Sequence, residues 1–251
     1  MSTPAPPVSG DALEAPPHMS FPARLAGVFV SPRQTFADIA RRPDFIAPLI
    51  LLILAVIAVS EVMLWKIGIE RIVRTQVEHS SRASSMTPEQ MQQAVEQGAR
   101  IGSIFAHAGF VFVLIGTLIV AGVCLAVTNA IFGGKVKFKT AFAITCYASM
   151  VTLVSSIIAI LLIMFGDVEH FDPQNPGPTN LGFFLNPTDT PKPLMSLAAS
   201  LDVFTLWFII LLGIGFSEAT SRRVKPMPLT LTIFGLWAVW VLAKMGLATL
   251  G

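Results

Sequence analysis

Charge is what this sequence most lacks: Asp, Glu, Lys and Arg together make up 13% of its 251 residues, about half the ordinary share. A water-soluble globule of this size needs more charge than that to cover its surface. The formal net charge of +2 also excludes the strongly basic electrostatics of a nucleic-acid-binding protein, so no nucleic-acid partner is expected. Cysteine is nearly absent. Cys124 and Cys146 both lie in uncharged stretches, read as small apolar packing residues, and offer neither a disulfide framework nor a metal-ligand spacing. Missing too are the H-E-x-x-H, G-x-S-x-G, Walker A and dinucleotide-binding patterns. The sequence therefore nominates no catalytic, cofactor-binding or metal-ligating residue, and an enzyme is the least favoured class. Residues 1–20 have no basic n-region and no apolar h-region, so they do not read as a secretory signal. Their Pro4, Pro6, Pro7, Pro16 and Pro17 among Ala and Ser predict a disordered tail.

What the chain has instead is apolar length. Hydrophobic residues make up 53%, and they gather in runs long enough to cross a hydrocarbon core of about 30 Å. The expected fold is an all-α integral membrane protein with five transmembrane helices over about 46–65, 103–132, 140–164, 195–217 and 228–250. The uncharged run from Ile101 to Gly134 exceeds what one crossing needs, which predicts tilt or an end outside the bilayer. Its Gly102, Ala106, Gly109, Gly116, Ala121 and Gly122 favour close helix packing over a pore.

The basic residues set the orientation. Arg24, Arg33, Arg41 and Arg42 precede the first span, Lys135, Lys137 and Lys139 join the second to the third, and Arg222, Arg223 and Lys225 join the fourth to the fifth. All fall on one side, so the N-terminus is expected in the cytoplasm and the C-terminus outside. The longer connections opposite carry the acids. Thr87-Pro88-Glu89-Gln90 in the first of them is a capping box that predicts a helix behind it. The second is proline-rich and extended, and its Asp167, Glu169, His170 and Asp172 read as a solvated acidic loop rather than a cation site.

Residues 21–42 read as two short amphipathic helices. Phe21, Leu25, Val28 and Phe29 share a face in the first. The second opens at Ser31-Pro32 with Gln34 three residues on, another capping-box pattern, and has a stripe of Phe36, Ile39 and Ala40. Arg24, Arg33, Arg41 and Arg42 supply the polar side and are candidate lipid-headgroup contacts. Packing of the pair against the chain's own spans is an equal and compatible reading.

The stretch Met195–Thr220 is apolar enough to cross a bilayer apart from Asp202. A carboxylate in hydrocarbon normally faces a bundle interior, a partner charge or water. At 100° per residue, Ala198, Ala199, Asp202, Thr205, Gly213, Ser217 and Thr220 share one side. Counted from the outer ends of their spans, Glu61, His107, Asp202 and Lys244 fall toward the same leaflet, a candidate intramembrane polar cluster. Two readings stand side by side: a proton or ion step, or separate structural roles with Asp202 capping or pairing with Lys244, His107 or a hydroxyl of another span.

Four features together resemble the Yip-domain family: FVSPRQTFADIARRP at Phe29 to Pro43, the five-span layout, SLDVFTLWFIILLGIGFS in the fourth span, and the short basic turn after it. The likeness covers the chain from about Arg24, making 21–251 a Yip-like membrane domain. Members are polytopic, and the eukaryotic ones are known as interactors of Ypt/Rab GTPases. The resemblance implies a cytoplasmic N-terminus and five spans, with a Rab-type GTPase partner only in a eukaryotic source; the expected function is a non-enzymatic scaffold or adaptor whose basic cytoplasmic face meets lipid headgroups or a partner. A bacterial-type member would sit in the cytoplasmic (inner) membrane. Membrane lipids, a protein partner or a second copy of the chain are the expected contacts, with no cofactor. The alternative function is a small oligomeric transporter or channel using the polar cluster.

Overall fold

In a computed structural model of the chain, the described residues are 18–78, 80, 83–166, 177–186 and 189–248. They are helical almost throughout, with no strand among them and one isolated bridge, Asn180 to Asp202. The tail over 1–17 and the acidic quartet Asp167, Glu169, His170 and Asp172 lie outside the described residues.

Four stretches are long and apolar enough to cross a membrane: Ile46–Lys66, Gly109–Ile131, Phe138–Phe165 and Pro226–Ala248. The first is helix α3, preceded by α1 (Phe21–Val30) and α2 (Pro32–Arg41) and followed by α4 (Ile69–Glu78). Helix α5 (Pro88–His107) pairs with α4 as a hairpin beyond the span and starts at the capping box read from sequence, where Thr87 N donates to Gln90 Oε1 at 2.9 Å and Gln90 N to Thr87 Oγ1 at 3.3 Å. The long uncharged run resolves into the end of α5, a break at Ala108, helix α6 (Gly109–Ala126) and a π turn at Val127–Ile131. The third stretch is likewise two helices, α7 (Phe138–Ala148) and α8 (Val151–Phe165), and the fourth is α11 (Pro226–Ala248).

The expected fourth span is not one helix. It divides into α9 (Lys192–Ser200) and α10 (Val203–Ala219), and with 17 residues α10 falls just short of the other four. Asp202 sits between them in extended backbone, φ −103° and ψ 135°, as the N-cap of α10.

Helix α10 is the centre of the bundle, packed against α11, α2, α7 and α8. Apolar nearly all round, it buries Leu211, Leu212 and Ser217 on different sides. Its approach to α11 is close enough that a Cβ on Gly213 would overlap the Thr230 side chain. Small residues do serve helix packing, but chiefly in α7, where Ala141, Ala143, Cys146 and Ala148 are fully buried. In α6 Ala121 is buried, whereas a Cβ on Gly116 or Gly122 would meet nothing within 4 Å.

Helices α1 and α2 pack against the bundle. Phe29 sets its edge on Trp207 with ring centroids 5.5 Å apart, and Phe36 and Ile144 both lie against Gly215, so α2 runs along α10. Ser31 ends α1, its N–H bonded to Gly27 O at 2.8 Å, and also begins α2. That double duty places its backbone at φ −145°, ψ 59°, and its hydroxyl makes no cap, contrary to the capping-box expectation.

Candidate functional site

The basic connections meet at one end of the bundle, and each is closed by its own side chains. In the turn after α6, Asn129 bonds both backbone groups of Val136, Nδ2 donating to the carbonyl and Oδ1 accepting from the amide at 3.0 Å each. In the turn after α10, Ser217 Oγ donates to Val224 O at 2.7 Å and Thr220 Oγ1 accepts from Val224 N at 3.2 Å. Ser221 and Arg222 there take positive φ (53° and 61°), a conformation non-glycine residues adopt only when their surroundings hold them to it. Lys135, Lys137, Lys139, Arg222, Arg223 and Lys225 are all exposed, as are Arg33, Arg41 and Arg42 of the hairpin. The acids nearest in sequence are Asp38, buried against Arg24, Asp44, exposed, and Glu218, held by Arg222 Nε at 3.6 Å.

Arg24 is a correction. Expected on the polar side of α1, it is among the most buried side chains, 2% exposed, so its guanidinium faces protein and not headgroups. Its Nε and Nη2 both donate to Asp38 Oδ2 at 2.8 Å, Nη2 also donates to Arg42 O at 3.2 Å, and the group lies 5.8 Å from the Tyr147 ring centroid. Tyr147 is itself fully buried, and its Oη has no hydrogen-bond partner among the described residues. The signal was present in the periodicity. Phe21, Arg24, Leu25 and Val28 share the i, i+3, i+4, i+7 stripe of α1, while Thr35, Asp38 and Ile39 share that of α2, so each apolar stripe carries one charge of opposite sign.

The polar cluster of four does not assemble as one group. Glu61 Oε1 lies 3.7 Å from His107 Nε2, both side chains more than half exposed. His107 Nδ1 donates to Ser103 O at 2.7 Å, which fixes its tautomer. Lys244 Nζ donates to Ser200 Oγ at 3.4 Å, at the end of α9. Asp202 pairs with neither cation. Its Oδ2 accepts from Thr205 N at 2.8 Å and Thr205 Oγ1 at 3.0 Å, within its own helix, and its Oδ1 is buried with no partner among the described residues. The expected hydroxyl from another span is thus Thr205 of the same one, because breaking the helix lets the carboxylate satisfy the amides that the break exposes.

Beside this break, in the half of the bundle away from the basic turns, is a half-open cavity of about 410 Å³. Val59 of α3, Ser155 and Ser156 of α8, Thr179 and Asn180 of the preceding loop, and Asp202 and Thr205 line it. Ser155, Ser156 and Asn180 went unnoticed in the sequence because isolated hydroxyls in an apolar run read as tolerated polarity.

Four long apolar helices around a fifth buried one, with cations at one end, define the class: a multi-pass integral membrane protein. The Yip1 domain family model matches residues 26–248, nearly the whole chain, and the chain belongs to that family. No curated protein and no solved structure matches it.

Proposed function

We propose that this protein is a non-enzymatic scaffold or adaptor of the Yip type, crossing its membrane five times with the basic end in the cytoplasm and the C-terminus outside. The fourth crossing in chain order, added to the four long helices, is the α9–α10 pair, since α10 alone spans roughly 25 Å at 1.5 Å per residue and α9 extends it. The reading rests on one observation above all: three segments far apart in sequence expose their cations around one end of the bundle. Arg33, Arg41, Arg42 and the two basic turns form a surface nearly of one sign. Such a surface attracts anionic headgroups by up to about 1 kcal/mol per cation, and equally suits the acidic face of a protein partner. The membrane is the cytoplasmic one in a bacterial source, and a Rab-type GTPase enters as partner only in a eukaryotic one.

The test is lipid retention. Protein purified from nanodiscs of mixed phosphatidylcholine and phosphatidylglycerol should carry an excess of the anionic lipid, and a Lys135→Gln, Lys137→Gln, Lys139→Gln triple variant should carry less. Equal retention by parent and variant would reject the assigned role of the basic end.

A second reading, a small oligomeric transporter or channel, draws on the helix break, because broken helices commonly line substrate sites in transporters. Flux of protons or ions across proteoliposomes that disappears in Asp202→Asn would favour it over the scaffold.

A further inference from the structure

We propose that the cavity at the α9–α10 break binds a small organic ammonium cation, supplied either as a free amine or as the amine of a lipid headgroup. The inference does not rest on the scaffold reading, which concerns the opposite end of the bundle. It starts from where the protons are. Ser155 Oγ and Ser156 Oγ both donate to Thr152 O, at 3.0 and 2.9 Å, and Thr205 Oγ1 donates to Asp202 Oδ2 at 3.0 Å. With their single protons committed, these three hydroxyls have only lone pairs left to offer a ligand. Asn180 Oδ1 is already an acceptor, from Phe183 N at 3.1 Å. Asn180 Nδ2 and the Thr179 hydroxyl can still donate, but the lone pairs of Ser155, Ser156 and Thr205 with the Asp202 carboxylate give the wall several acceptors, which suit a ligand that brings several donors.

The charge points the same way. Asp202 lines the cavity, and among the described residues no cation pairs with it: Lys244 is bonded to Ser200 instead. The negative end of α9 and the positive end of α10 face each other at the break and offset, which leaves the carboxylate as the net local charge among the described residues. An unpaired carboxylate within an apolar bundle is costly, and a bound cation relieves that cost.

Size and wall chemistry choose among cations. No group of three His, Cys, Asp or Glu side chains capable of holding a metal exists among the described residues, and one carboxylate is too few for a divalent ion in an oxygen cage. About 410 Å³ is far more than a bare monovalent ion fills and lies in the range of small-molecule pockets. Val59, Ile158, Ala159 and Ala199 give the rest of the wall apolar surface suited to the carbon atoms of an amine.

The experiment uses the purified full chain in nanodiscs, with ethanolamine hydrochloride as the probe and sodium chloride at equal ionic strength as the control. In pure phosphatidylcholine discs, ethanolamine should raise the unfolding midpoint in a saturable way and sodium should not. Asp202→Asn keeps an equally good N-cap acceptor but removes the charge, and should weaken binding about tenfold or more. Ser155→Ala with Ser156→Ala, whose hydroxyls bond only to their own helix, should weaken it less while leaving the fold intact. Discs containing phosphatidylethanolamine distinguish the sources. A raised midpoint that free ethanolamine no longer increases assigns the site to the headgroup; an equal response in both discs assigns it to the free amine. The proposal is overturned if neither free ethanolamine nor the phosphatidylethanolamine discs raise the midpoint, if Asp202→Asn responds as the parent does, or if sodium reproduces the effect.

Discussion

Arg24→Met should be among the most damaging substitutions in the protein, although it replaces a charge with an apolar side chain in a membrane bundle. The reason is Asp38. In the parent, its Oδ2 receives two bonds of 2.8 Å from Arg24, and the two side chains are 2% and 7% exposed. Without the guanidinium, the cationic group left near it is His18, 3.6 Å away and 43% exposed, which helps only when protonated. Breaking a buried pair from one side costs about 3–5 kcal/mol, and loss of the Arg24 bond to Arg42 O adds to it. Removing both charges together is another matter. Arg24→Met with Asp38→Leu keeps volume on both stripes and leaves no orphan charge, so it should lie within about 1–2 kcal/mol of the parent. The double-mutant cycle should then report a coupling of about 3 kcal/mol or more. Equilibrium unfolding in mixed micelles, followed by circular dichroism, measures all four proteins. Single variants that each cost less than about 1 kcal/mol and add without coupling would refute the assignment of this pair as the buried clamp between α1 and α2.

Three further outcomes follow from the same geometry. Asp202→Leu should destabilise by roughly 0.5–2 kcal/mol through loss of the α10 cap, with Asp202→Asn close to the parent in the same unfolding assay. Gly213→Ala, whose added Cβ would overlap Thr230, should cost about 1–3 kcal/mol, while Gly116→Ala, where a Cβ meets nothing within 4 Å, should be neutral or slightly stabilising. Glu61→Gln should change stability by less than about 1 kcal/mol, because the Glu61–His107 pair is more than half exposed and 3.7 Å long.

The long helices were legible because an uninterrupted apolar run of this length has few structural alternatives, and the Thr87 capping box was legible because its four residues act locally. The break at Asp202 was not, since a 3.6-residue period carried straight through it assigns a face to residues on both sides. Yet an Asp directly before an apolar run, as at Asp202, is itself a helix-start signal, and α10 does begin there. Arg24 was misplaced for a related reason: cations were sorted by type onto the polar side, when its spacing from Phe21, Leu25 and Val28 put it on the apolar one. What pairs with it depends on how α1 folds back on α2 across Gly27 and Thr35, which no local pattern states. The cavity is less legible still, because its wall is assembled from α3, α8, a loop and the α9–α10 junction.

The central claim is that the chain crosses five times, with the broken α9–α10 pair as a full crossing and the basic turns in the cytoplasm. Paired topology reporters test it most directly, one fused after Gly251 and one inserted at Lys137. The account predicts an external signal at Gly251 and a cytoplasmic one at Lys137, and a cytoplasmic signal at both would contradict it.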